Sequence, residues 1–186
     1  MTWIKVGRSC RSIVDGYGFR QGRAMHVGDI CNRSAVIGGP DTSARAAAGL
    51  MRRNHVGDVI VVEERGGRAF PIGIVTDRDL VIEVLEKGLD AEACPLRDVM
   101  SAPLIVLDTY ESIDHGLLRM QAGGVRRAPV VDERGGLVGV LSADELVRVL
   151  SDQIGGLAAL LDRQRIRERE LRPGTNETSE INETGG

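Results

Sequence analysis

Two rhythms of apolar residues alternate along this chain, and the alternation occurs twice. Short apolar runs such as Val59–Val62 and Pro103–Leu107 have strand length. Between them, apolar residues recur every three or four positions, the spacing that lines one face of a helix. The first copy reads as a strand over Ala35–Ile37 and a helix over Ser43–Asn54 with Ala47, Leu50 and Met51 inward. Two strands about a Gly-Gly turn follow, then a helix over Asp77–Glu86 with Leu80, Val81, Val84 and Leu85. The second copy reads as a strand over Leu104–Leu107, a helix over Glu111–Gln121 with Ile113, Leu117 and Met120, two more strands, and a helix over Ala143–Leu150. Asp41-Thr42 and Asp108-Thr109 are expected to cap the leading helices, because a side-chain oxygen there can accept from an unpaired first-turn amide.

The copies also match in letters. Val61-Val62-Glu63-Glu64-Arg65-Gly66-Gly67 returns as Val130-Val131-Asp132-Glu133-Arg134-Gly135-Gly136, and Gly73–Leu80 returns as Gly139–Leu146. Val27-Gly28-Asp29-Ile30 is echoed by Leu96-Arg97-Asp98-Val99. The expected fold class is α+β, a β-α-β-β-α unit used twice about a pseudo-twofold axis. Twinned units pack together and leave clefts at that axis, where function is to be sought.

This divides the chain into an arm (1–25), two repeats (26–90 and 91–151), a further helix (152–172) and a polar tail (173–186) expected to be disordered. The arm carries Lys5, Arg8, Arg11, Arg20 and Arg23 against Asp15, with Trp3, Tyr17 and Phe19. Its Gly16–Gly22 stretch misses the dinucleotide-loop spacing by one place, and no strand precedes it. Gly155-Gly156 is expected to separate the last repeat from the helix Leu157–Leu171, a solvated or dimer-packing element.

Charge and cysteines narrow the class. Across 186 residues the net charge is −3, which argues against a dedicated nucleic-acid binder. Cys10, Cys31 and Cys94 show no C-x-x-C spacing and read as reduced thiols of a cytoplasmic protein. No run approaches the ~20 apolar residues of a membrane span. His26, His55 and His115 have no metal-ligand spacing. No nucleophile elbow, zinc helix motif or phosphate-loop lysine is present, so no enzyme activity and no metal are expected.

The chemistry sits at two strand-to-helix turns, Thr76–Asp79 and Ser142–Glu145. A hydroxyl with an acid three residues on can be a helix cap and nothing more. The same geometry can hold a nucleotide, because amides and hydroxyl face a phosphate while the carboxylate takes both hydroxyls of a ribose.

With Gly-Ile-Val-Thr-Asp-Arg-Asp-Leu at 73–80 and Arg-Arg-Ala-Pro-Val-Val-Asp at 126–132, the paired units resemble the CBS-domain tandem, or Bateman module, over about residues 27–150. The similarity is greatest to small stand-alone bacterial CBS-pair proteins of the hypoxic-response type. The resemblance implies a regulatory sensor of adenosine-containing ligands (AMP, ADP, ATP, S-adenosylmethionine or NAD) that pairs into a disc-like homodimer and signals by a population shift to an unknown protein partner. It implies a first site of Ile74, Thr76, Arg78 and Asp79 with Leu104, Ile105, Arg126, Arg127, Ala128 and Pro129. There Asp79 would hold ribose and an arginine would reach phosphate. A second site would join Val140, Ser142, Asp144 and Glu145 to Ala35, Val36, Gly57, Asp58, Val59 and Ile60. It departs from the pattern: Glu145 stands for the ribose aspartate, Gly57-Asp58 for the arginine pair and Ile60 for the proline. The first site is therefore expected to be competent and the second weak or empty. The alternatives are a ligand-free dimeric scaffold and a nucleic-acid binder acting through the arm and the helix to Arg172.

Overall fold

The computed structural model describes residues 25–171. Most of the arm, and the tail, lie outside the described residues. The chain divides after Leu146 into two units, the second containing most of the last helix.

The first unit holds two three-stranded sheets of identical design. In one, β1 (Ile37–Gly38) runs parallel to β2 (Asp58–Arg65), which pairs antiparallel with β3 (Arg68–Thr76). In the other, β4 (Leu107–Asp108), β5 (Arg127–Val131) and β6 (Leu137–Ser142) repeat that order. The register is twinned: Asp58 lies opposite Thr76 as Arg127 lies opposite Ser142. Each ladder breaks register at the same place, between Val61 and Val62 and between Val130 and Val131. Six positions separate Gly67 from Gly73 where three separate Gly136 from Gly139, and these three extra residues lengthen the first hairpin.

Strand β2 is buried on both faces, which is why it reads as a continuous apolar run. Val59 and Val61 meet Ala47, Leu50 and Met51 of helix α2 (Ala44–Asn54) together with Val84 and Leu96. Ile60 and Val62 point the other way, to Leu137 and Val140 of the second sheet. The period of two thus divides one strand between two cores.

The lead-in segments are exchanged. Helix α1 (Val27–Ile30) opens the first repeat but docks on the second, where Val27 N–H donates to the Glu111 carbonyl (2.8 Å) and Gly28 N–H to that of Thr109 (3.0 Å). The twin segment Leu96–Asp98 docks on the first repeat, with Leu96 N–H donating to the Thr42 carbonyl (2.8 Å). Residues 32–36 and 101–106 therefore cross between the repeats. Asn32 exchanges backbone bonds with Val140 (2.8 and 2.9 Å), and Ser101 donates to Ile74 (2.9 Å).

Three expected features differ. The caps are Ser43, whose Oγ accepts from Ala46 N–H (3.2 Å), and Ser112, whose Oγ accepts from His115 N–H (3.3 Å) ahead of helix α4 (Ile113–Ala122). Asp108 still belongs to β4 and spends its carboxylate on Tyr110 N–H (2.7 Å), so the helix starts later. The helix from Asp77 opens as α3 (Asp77–Asp79) and widens into a π-helical turn over Leu80–Leu85. That rotates the apolar face: Val84 is buried, while Val81, Ile82 and Leu85 are exposed. Finally, α5 runs unbroken from Ala143 to Leu171 through Gly155-Gly156. Glycine costs a helix about 1 kcal/mol relative to alanine but does not forbid it, and no proline intervenes.

Candidate functional site

Each repeat ends its sheet at a turn where a hydroxyl meets the next helix. Thr76 Oγ1 accepts from Asp79 N–H (3.2 Å), while Thr76 N–H and Oγ1–H both donate to Asp79 Oδ2 (2.8 Å each). At the other turn Ser142 Oγ accepts from Glu145 N–H (3.2 Å), and Ser142 N–H and Oγ–H donate to Glu145 Oε2 (2.8 and 2.9 Å). The two reciprocal boxes are superposable in their bonding, so the extra methylene of Glu145 changes nothing at the cap.

A cavity of about 180 Å³ opens at the second turn. One wall is the crossing segment with Asn32, Ser34, Ala35 and Val36; the opposite wall is the loop His55–Asp58; Arg127, Val140, Ser142 and Glu145 close it. Of the residues assigned to this cleft from sequence, Ala35, Val36, Gly57, Asp58, Val140, Ser142 and Glu145 are brought together. Val59 and Ile60 are fully buried behind it.

Two arginines assigned to the first cleft reach acids of the second. Arg127 forms an ion pair with Asp58, whose side chain keeps only 12% of its surface exposed. These are twin positions, so the pair ties one repeat to the other at the pseudo-twofold axis. Arg126 lies 3.9 Å from Asp144, both well exposed. Asp58 and Asp144, whose charge would oppose a phosphate here, are thus each matched by a guanidinium.

At the first turn Thr76 and Asp79 form the cap described above, Ile74 is bridged to Ser101, and Leu104 and Ile105 of the crossing segment are half-buried. Arg78 is exposed. Ala128 and Pro129 are fully buried in β5.

Sequence reasoning missed Asn32, Ser34, His55 and Val56. A signal existed for His55. It caps α2 with φ 53°, and its twin Gly124 has φ 62°. A left-handed histidine where the other copy has glycine costs of order 1 kcal/mol, and such outliers cluster at functional sites. Beside the cleft, burial pushes the Cys31 thiol up; Arg33 opposes this and Glu145 adds to it. No group of three or more His, Cys, Asp or Glu among the described residues is arranged to hold a metal.

Comparison with known proteins agrees with this architecture. The profile of the CBS domain matches residues 27–86 and 96–152. Uncharacterized protein MK0525 of Methanopyrus kandleri is 34% identical over 127 residues, 68% of this chain; the chain spans 63% of that relative's length. Hypoxic response protein 1 of Mycobacterium tuberculosis is 31% identical over 124 residues, covering 67% of this chain and 84% of the relative. The crystal structure of hypoxic response protein I, solved with two coordinated zinc ions, superposes with TM-score 0.59 at 30% identity over 67% of this chain and 98% of that one. PAE2072 of Pyrobaculum aerophilum, complexed with AMP, matches with TM-score 0.59 at 22% identity over 66% of this chain and 90% of that one. The CBS pair of MJ0100, in complex with 5-methylthioadenosine and S-adenosyl-L-methionine, gives TM-score 0.61 at 21% identity over 70% and 99%. The last two likenesses show the fold.

Proposed function

This chain belongs to the CBS-domain family, and from that premise we propose that it is a regulatory module that senses an adenosine-containing nucleotide in the clefts between its repeats. Two relatives of this fold are complexed with AMP or with S-adenosyl-L-methionine, which supplies the ligand class. The observation that carries the reading to this chain is the cavity bounded by Ser142, Glu145 and Arg127. A carboxylate offers about four lone-pair positions and suits a cis-diol. Arginine offers a planar fork that suits phosphate. The cleft at Glu145 is therefore proposed as the first to fill, because geometry puts Arg127 in its wall. The Thr76/Asp79 cleft remains a second candidate.

The cavity is smaller than the ~300 Å³ at the low end of small-molecule sites. A whole nucleotide enters only if the crossing segment or the His55–Asp58 loop gives way. Phosphate that engages Arg127 competes with Asp58 for the same guanidinium. Binding then loosens the Asp58–Arg127 pair between the repeats and stabilises a more open arrangement, a population shift that a protein partner reads. The module is proposed to work by binding, in keeping with the ligand complexes of the two relatives of this fold. It is further proposed to pair through the exposed apolar faces at Val81, Ile82 and Leu85 and at Leu117 and Leu118.

Both turns close as helix caps on their own residues, so a ligand-free scaffold is the reading an experiment must defeat. Thermal-shift measurements with AMP, ADP, ATP, NAD and S-adenosylmethionine do this. The expected result is a saturable rise in melting temperature with at least one of them, reduced in Arg127→Met relative to that variant's own baseline. No rise with any of the five would move the reading to the scaffold.

A further inference from the structure

From Val147 onward helix α5 carries apolar residues at alternating intervals of three and four: Val147, Leu150, Ile154, Leu157 and Leu161. An average of 3.5 keeps them on one seam that winds slowly around the helix, the pattern of a left-handed supercoil. All five are open to solvent, from 50% at Leu161 to 69% at Ile154. Leu160 beside them is 59% exposed. Soluble proteins rarely leave an apolar stripe of four turns uncovered unless something packs on it.

We propose that the seam packs against the same seam of a second copy of this chain, as a short parallel two-stranded coiled coil. The proposal is independent of the nucleotide reading. Side-chain shape is the first argument. β-branched Val147 and Ile154 fall on one set of alternate seam positions and Leu150 and Leu157 on the other, the distribution that favours two parallel strands. Charge is the second. The flanks that face a partner helix over these turns are Ser151, Gln153, Ala158 and Leu160, all neutral, so self-association meets no like-charge repulsion. Area is the third. Six side chains at roughly 100 Å² each give about 600 Å² per copy, or ~1,200 Å² for the pair, the lower bound of a standard specific interface.

The seam also has a defined end. Gln164 and Glu168 take the next two seam positions and bond each other along their own helix, Nε2–H to Oε1 at 3.1 Å. Gly155 and Gly156 lie off the seam and weaken the isolated helix, so its helicity draws on packing rather than propensity.

Cysteine cross-linking in the full chain reads the seam directly, even where the repeats pair through other faces. In a parallel pair Leu157 meets its own copy, as does Ile154, whereas Ala159 points away. Leu157→Cys and Ile154→Cys are each made beside Ala159→Cys, oxidised, and resolved without reductant. The native cysteines are common to all, so the difference reports the seam. We expect most of Leu157→Cys and Ile154→Cys to run as disulfide-linked dimer and Ala159→Cys to match the wild type. Cross-linking of both seam variants no greater than that of Ala159→Cys overturns the proposal. Cross-linking of Ile154→Cys without Leu157→Cys overturns the parallel arrangement.

Discussion

Removing one or the other half of the Asp58–Arg127 pair should have unequal consequences, because the partners are unequally buried. The Asp58 side chain keeps 12% of its surface exposed, whereas that of Arg127 keeps 32%. Arg127→Met strands a buried carboxylate, at a cost of about 3 kcal/mol, the low end for breaking a buried pair. Asp58→Asn leaves an arginine that can turn toward water, and should cost only about 1 kcal/mol. The double variant leaves no orphaned charge and should cost about 2 kcal/mol, a coupling of about 2 kcal/mol in the cycle. Urea unfolding followed by circular dichroism gives all four stabilities. The same variants connect stability to ligand: Asp58→Asn frees Arg127 and should tighten binding of phosphate-bearing nucleotides, while Arg127→Met should weaken it. Equal single costs, or costs that simply add, would falsify the assignment of this pair as a buried tie between the repeats.

The twin glycines Gly139 and Gly73 should respond differently to alanine. A Cβ on Gly139 would lie 2.5 Å from the Asn32 backbone oxygen, on the bridge between repeats, while one on Gly73 meets only the flexible Met100 side chain. Gly139→Ala should cost about 2 kcal/mol and Gly73→Ala under about 1 kcal/mol by urea midpoint; matching costs would contradict this. His55→Gly should stabilise the fold by about 1 kcal/mol by relieving the left-handed backbone, and weaken nucleotide binding at the cavity it lines; a loss of stability would count against the strain. Partial burial raises the Asp132 carboxyl, but the N–H groups of Gly136 and Arg134 and the Arg68 guanidinium outweigh it and hold it below the usual carboxylate range. A depressed carboxyl contributes stability above its unfolded value and loses it as pH falls through the folded one. Asp132→Asn should therefore flatten the acid limb of a stability profile below about pH 4, and an unchanged limb would rule the residue out.

The repeat was legible because both copies keep the same alternation of strand-length runs and helical spacing. Val59 and Val61 facing one core, and Ile60 and Val62 the other, follow from the period of two alone. The hydroxyl-x-x-acid turns were legible as caps with a second possible use. The rest depended on contacts distant in sequence. Nothing near Asp58 in the chain announces Arg127, because the pair forms only when the twins meet. The exchange of lead-in segments is likewise invisible locally, although it builds the cleft wall at residues 32–36. The second cap moved to Ser112 because Asp108 stays in its strand, and the first lies at Ser43, where the side chain accepts from Ala46 N–H. Gly155-Gly156 read as a boundary because local propensity was given more weight than the good helix formers on either side. His55 could have been singled out by setting it against Gly124, its twin in the second copy.

Nucleotide occupancy of the cleft at Glu145 is what makes this module a sensor. Calorimetric titration of AMP into the wild type, Glu145→Gln and Asp79→Asn measures it most directly. Losing charge-assisted bonds to the ribose is worth about 1.5–3 kcal/mol, or roughly 10- to 100-fold in affinity. We predict saturable heat with the wild type, weakened at least tenfold in Glu145→Gln and little changed in Asp79→Asn for the first equivalent bound. Binding that ignores Glu145→Gln but collapses in Asp79→Asn would place the ligand in the other cleft, and no heat with the wild type would contradict the sensor reading itself.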